Sequence, residues 1–264
     1  MKTACRLAIL TALVLGASVG AQATVLDFAT STNGTTPDTT NGFIGGAYFE
    51  WTDFSATGTG LIQTFVQVQA QGNATFEQGY NTTVNDTLDN GSSDTFNHAL
   101  LVSDVPIVNI GGVNYREFLL DVNEPNGRTK RTISLSDVQL FLSNTPNQSV
   151  ETFTGGVLDL ADAILIYSFG QDDRIEFDAA LNSGSGAGDM FMYIPDDLFV
   201  NGWEYVYLYS AFGNPNYAEG GFEEWAVRTG DSPGEVVPEP ATLSLLGVGL
   251  AGMAATRLRK RVKA

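Results

Sequence analysis

Apolar and polar residues alternate with a period of two through much of the chain. In "LIQTFVQVQAQ", Ile62, Thr64, Val66, Val68 and Ala70 alternate with Gln63, Gln67 and Gln69, and Phe65 is the one apolar residue on the second face. That pattern predicts a half-buried strand. "VNYREFLLDV" and "ISLSDVQLFL" read as two more strands, and the turn formers of "NEPNGRTKRT" between them suggest a long hairpin connection. "AILIYSF", "DRIEFDAAL", "DMFMYI", "WEYVYLYSAF" and "GFEEWAV" follow, each bounded by Gly, Asn, Asp or Pro. So many short strands with turn signals between them predict an all-β body, an antiparallel β-sandwich or jelly roll. The one expected short helix is "DLADAIL", near Asp159 to Leu165. Residues 24–95 are rich in Thr, Asn and Gly and read as loop-rich, with "STNGTTPDTTNG" and "NTTVNDTLDNGSSD" close to low complexity. The six N-x-S/T triplets at Asn33, Asn73, Asn81, Asn85, Asn90 and Asn147 follow from that composition alone.

The two ends break the pattern. Lys2 and Arg6 precede an apolar stretch from Leu7 to Val19, and the small residues Ala21 and Ala23 flank Gln22. This is the layout of a secretory signal peptide over 1–23, handled by the Sec translocon and cut by signal peptidase before Thr24. At the other end, sixteen uncharged residues after Pro240 precede Arg257, Arg259, Lys260, Arg261 and Lys263. A helix of that length spans about 24 Å, short of the roughly 30 Å hydrocarbon core, and becomes adequate when extended with snorkelling arginines. The basic cluster would stay cytoplasmic and act as a stop-transfer tail. The expected layout is therefore signal 1–23, exported body 24–236 and a C-terminal segment 237–264, with a hydrophobic helix over 241–256 and a basic tail over 257–263.

Charge narrows the function classes. Between 24 and 237 six basic residues stand against 29 acidic ones, a net near −23. Such a body repels nucleic acid and anionic lipid. The only cysteine, Cys5, lies in the signal segment, so the exported domain has no disulfide and depends on an ordinary core.

Candidate chemistry is sparse. His98 is the only histidine and no G-x-S-x-G elbow exists, so a structural role is the expectation for it. Paired carboxylates would serve a glycosidase. Glu223 and Glu224, however, are adjacent on a strand and point to opposite faces, so either would need a partner such as Glu176, Asp178 or Asp189. No catalytic constellation emerges, and the expectation is a protein without enzymatic activity or cofactor. Asp121, Asn123, Asp172 and Asp173 form a weak candidate set for a structural Ca²⁺, with a solvated acidic surface as the preferred reading. Trp203, Tyr205, Tyr207 and Tyr209 would share one strand face, and an exposed ring stripe would stack on sugar rings. Val206 and Leu208 make the opposite face apolar as well, so core packing competes with that reading, and exposure decides.

The closing stretch "VPEPATLSLLGVGLAGMAATRLRKR", with Pro238, Glu239 and Pro240, a short Gly/Ala/Leu segment and an Arg-rich tail, resembles the PEP-CTERM sorting signal of exported proteins in Gram-negative bacteria. The resemblance covers about a tenth of the chain. It implies cutting near the triplet by exosortase, a membrane protease, after a transient inner-membrane tether, and delivery to the cell surface or an exopolysaccharide matrix. The two prolines suit an extended, accessible cutting site. "NSGSGAGDMFMYIPDDLF", "YVYLYS" and "GFEEWAV" are also similar to bodies carried by other such proteins, which implies a complete domain and no mechanism. The expectation is a structural or adhesive surface component, with a carbohydrate-binding module as the alternative and a glycan-active hydrolase as a third class.

Overall fold

The computed structural model describes residues 23–55, 62–70, 72, 74–124, 132–182, 187–216, 218 and 221–229. Ala21, the Pro238-Glu239-Pro240 triplet, the 241–256 segment and the basic tail lie outside the described residues, whereas Ala23 lies within them and is exposed. In chain order the strands are β1 (Val25–Phe28), β2 (Asn41–Ile44), β3 (Ala47–Ser55), β4 (Ile62–Val68), β5 (Glu77–Tyr80), β6 (Leu100–Leu101), β7 (Ile107–Ile110) and β8 (Val113–Val122). They continue as β9 (Thr132–Ser143), β10 (Phe153–Thr154), β11 (Val157–Leu158), β12 (Ala163–Ser168), β13 (Arg174–Asp178), β14 (Ala187–Pro195), β15 (Tyr205–Phe212) and β16 (Glu223–Arg228). Among the described residues the helical pieces are single 3₁₀ turns at Val102–Asp104 and Asp196–Leu198.

Two seven-stranded sheets form the sandwich. The first runs β1-β13-β9-β15-β5, with β12 on β9 and β6 on β15; the second runs β2-β3-β14-β8-β16-β4, with β7 on β8. All pairings are antiparallel except β1 on β13. Alternation along each strand sends one set of side chains into the space between the sheets. Leu135, Leu140, Val206, Leu208 and Phe212 from the first sheet meet Phe49, Phe118, Leu120, Met192 and Trp225 from the second there. Two-residue Gly-Gly turns close the hairpins β2–β3, β7–β8 and β10–β11. Gly45 and Gly46 have φ of 58° and 92°, the left-handed pair that a type I′ turn demands.

The expected strands are present, and three details differ. The segment 159–165 is not helical: Asp162 sits at φ 47° and Ala163–Ser168 pair with β9. A left-handed residue stops a helix, and the β-branched and aromatic run that follows prefers the sheet. β8 and β9 do not form a hairpin, because β8 lies in the second sheet and β9 in the first, so their connection crosses between layers. Phe65 sits at a bulge, where Val66 pairs with Trp225 and Thr64 with Ala226. The extra residue lets Phe65 and Val66 both turn inward to full burial.

The Asn/Thr-rich first third holds five strands and a bonded polar cover. Asn81 donates Nδ2 to the Val206 carbonyl at 2.8 Å and accepts Leu208 N–H on Oδ1 at 2.7 Å, extending the β5 ladder by side chain. Segment 89–91 then joins the free edges of both sheets. Asp89 N–H donates to the Gln78 carbonyl of β5 at 2.9 Å, while Gln69 N–H donates to the Asp89 carbonyl at 3.0 Å and Gly91 N–H to that of Gln67 on β4 at 2.9 Å.

Candidate functional site

The aromatic stripe is not an exposed platform. Tyr207 and Tyr209 are 0% and 3% exposed and belong to a small second core with Tyr80, Phe141 and Leu158 on the outer face of the first sheet. Hairpin β10–β11 covers them, with Phe153 packed edge-on against Tyr209 at 5.3 Å. Tyr205 is half-buried beside this core, whereas Trp203 precedes the strand and packs against the main core instead. Burial also pushes the Tyr80 and Tyr209 phenols above their usual range. The rings the sequence aligned therefore pack in two places, because a second layer shelters both faces of β15.

His98 faces backbone carbonyls with both ring nitrogens, Nδ1 to Ala99 at 2.9 Å and Nε2 to Thr64 at 3.1 Å. The candidate acids separate. Glu176 lies on β13 with Arg174 Nε at 2.8 Å, on the far side of the first sheet from β5. Asp178 is buried and accepts Ala180 N–H at 3.0 Å. Asp189 is buried under the backbone and accepts Val122 N–H at 2.7 Å; burial pushes its carboxyl well up, with Asp121 adding to the effect. Glu224 points outward and accepts a hydrogen bond from Gln67 Nε2, while Glu223 points inward and is fully buried. The opposite-face reading of this pair is correct.

The four Ca²⁺ candidates also part. Asp121 is the penultimate residue of β8 in the second sheet, with Asn123 just beyond the strand. Asp172 and Asp173 sit in the turn before β13, where Asp173 accepts Thr24 N–H at 2.6 Å and Gly170 N–H at 2.7 Å. Among the described residues no three His, Cys, Asp or Glu side chains are arranged to hold a metal.

Two features that sequence reasoning missed lie together at the β4–β5 edge. The first is an open cleft of about 660 Å³ between β4, the 86–96 loop and the start of β16. Gln67, Gln69 and Ser92 supply polar atoms, Asn90 turns its amide inward to the Tyr80 carbonyl, and Phe96 and Phe222, 39% and 40% exposed, line the same cleft. Asn97 fixes this shape by accepting Gln67 N–H and donating to the Gly91 carbonyl, both at 2.9 Å. The second lies between the sheets behind the cleft. Glu77 reaches inward from β5 and Glu223 from β16, each 0% exposed. Glu77 accepts Ala70 N–H on Oε2, but its Oε1 and both Glu223 oxygens meet no donor. Burial, then the facing Glu77 carboxyl and the nearby Glu124 and Asp121, push the Glu223 carboxyl well above its usual range. Glu77 is raised too, chiefly by burial. The sequence did carry one signal for this pair: Glu223 is in phase with Trp225 and Val227, both core residues.

These observations define a cysteine-free β-sandwich, with a polar cleft flanked by two phenyl rings on its surface and an acid pair inside. Residues 236–260 match the family model of the PEP-CTERM protein-sorting motif, so the chain carries that motif where the triplet and the basic tail lie. It implies an exported chain, sorted to the cell envelope or surface, with exosortase as its processing partner. No curated protein and no solved structure matches the chain.

Proposed function

We propose that the sandwich acts outside the cell as a non-catalytic adhesive component that associates with polysaccharide, and that it holds glycan in the cleft beside β4. The observation that carries this reading is the pairing of exposed Phe96 and Phe222 with the polar side chains of Gln67, Gln69 and Ser92 in one open cleft. An apolar pyranose face stacks on a ring while its hydroxyls bond to amides, and a shallow, open cleft admits an internal stretch of a long chain. The sorting motif supports the setting, since it sends the protein toward the surface, where such polymers are found. A body this acidic suits a neutral glycan better than an anionic one.

Affinity electrophoresis in gels containing exopolysaccharide from the producing cell tests this. Retardation should fall by roughly tenfold in apparent affinity for Phe222→Ala and for Phe96→Ala, in line with about 1–1.5 kcal/mol for a well-placed ring. Trp203→Ala should leave retardation unchanged. Full retardation of the Phe96→Ala/Phe222→Ala double variant, or none of the wild type, would reject the cleft as the glycan site.

A further inference from the structure

The acid pair between the sheets has an unusual balance of partners. Glu77 pairs in register with Phe212, and Glu223 with Val68 and Val122, so both side chains cap the interlayer core at the end where Thr75 meets Gly213 and Ala218, and Asn123 meets Gly221 and Phe222. One layer below, Trp225 Nε1 donates to Ser210 Oγ at 3.0 Å and joins the sheets. The Glu223 carboxyl meets no N–H or hydroxyl donor, and what it faces, within hydrogen-bond reach, is the Glu77 carboxyl, whose Oε1 has no such donor either. Glu124 and Asp121, both buried, add to the same field. The three arginines among the described residues are engaged elsewhere: Arg116 with Asp196, Arg174 with Glu176 and Arg228 with Glu117. Two facing carboxyls are satisfied by protons, one shared or one on each, or by a bound cation. A single shared proton serves one oxygen of each carboxyl and leaves a buried negative charge with Glu124 and Asp121 nearby, a costly arrangement.

We propose that Glu77 and Glu223 bind a Ca²⁺ ion between the two sheets. The donor set is carboxylate oxygen alone, which suits a hard cation, and the meeting of irregular segments suits the loose, high-coordination geometry of Ca²⁺ more than the strict octahedron of Mg²⁺. The two glutamates are the protein's charged ligands, and water completes the shell. An exported protein works where Ca²⁺ is abundant, and a two-carboxylate site belongs with extracellular modules of about 10⁻⁴–10⁻³ M affinity. The ion would cross-link the layers where the Trp225–Ser210 bond ends. This inference is independent of the glycan reading.

The full chain, stripped with EDTA, should melt at a higher temperature in millimolar CaCl₂ than in MgCl₂ or NaCl of equal ionic strength. Tb³⁺ should luminesce when tryptophan is excited, and Ca²⁺ should quench that signal by displacement. Trp225→Phe should dim the Tb³⁺ emission while leaving the Ca²⁺ shift in place. Glu223→Gln and Glu77→Gln should each weaken Ca²⁺ by at least about tenfold, since even outer-shell changes cost that much, whereas Asp172→Asn on the exposed turn should not. Absence of a Ca²⁺-specific shift in the wild type overturns the proposal whatever the variants do. So does a shift that survives in the Glu77→Gln/Glu223→Gln double variant, which would place the ion elsewhere. A Glu223→Gln protein that melts above the wild type in EDTA while the wild type ignores Ca²⁺ would identify a shared proton instead.

Discussion

Arg228 closes a two-pronged pair on Glu117, with Nε and Nη2 each meeting one carboxylate oxygen, and its guanidinium lies 5.2 Å from the Phe191 ring centre and 6.0 Å from that of Phe54. Glu117 is 1% exposed, so Arg228→Ala would strand a buried carboxylate. We expect a loss of about 3–5 kcal/mol in urea unfolding, with part of it restored by adding Glu117→Gln. Gly221 is a second single-residue test. A Cβ there would lie 1.9 Å from the Asn123 carbonyl oxygen, a backbone atom with nowhere to retreat. Gly221→Ala should cost roughly 1–3 kcal/mol by overpacking, read as a lower melting temperature. Neither role shows in the sequence: Arg228 ends a strand like many arginines, and only the fold brings the backbone of 123 against 221.

Among the elements, legibility tracks how local the cause is. β8 and β9 were readable because alternation fixes which residues face inward, yet their assignment to different sheets was not, because period says nothing about the partner strand. β3 carried the same signal in "AYFEWTDF", where Ala47 and Phe49 are fully buried and Tyr48 and Glu50 are not, but the surrounding Asn and Thr disguised it. The cleft was half legible: Gln63, Gln67 and Gln69 announced a polar face, while Phe96 and Phe222 joined it only through folding. The 81–99 stretch looked like filler and instead completes hydrogen bonds that strands leave open. Asn81→Ala removes the partner of two buried groups on β15, so the stretch should loosen, with each stranded group costing about 1–3 kcal/mol. Faster amide exchange at Leu208 than at Leu140 on the neighbouring β9 would mark the loss as local.

Across the whole molecule, acidity and burial act together. Asp137, raised by burial despite bonds from Gln139 and Val138, and Glu117, raised by burial despite Arg228, both hold protons more tightly folded than unfolded. Tyr209 and Tyr167 face Asp137, and Glu50 and Tyr193 face Glu117. Their contribution is intact below the ordinary carboxylate pKa and is lost as pH rises through the raised folded values. Asp27 runs the other way: burial raises it, but bonds from Thr30 and Ala29 win and hold it low, so its part is lost on acidification. Urea midpoints should therefore fall as pH rises above the ordinary carboxylate range, and Asp137→Asn should flatten that fall. Mass spectrometry of material recovered from the cell surface should find a C-terminus near Pro238–Pro240, and a chain there still ending at Ala264 would rule out cutting.

The place of β16 gives this sorting route a mechanical side. Nine residues, at most about 32 Å of extended chain, separate Arg228 from Pro238. A pull on the C-terminal end is thus delivered to a strand hydrogen-bonded to β8 on one side and β4 on the other. Such a strand must be sheared out of two ladders at once, whereas β1, with only β13 beside it, can be peeled away one bond at a time. Of its two ends, the sandwich holds the one that leads to the sorting motif with the stronger grip.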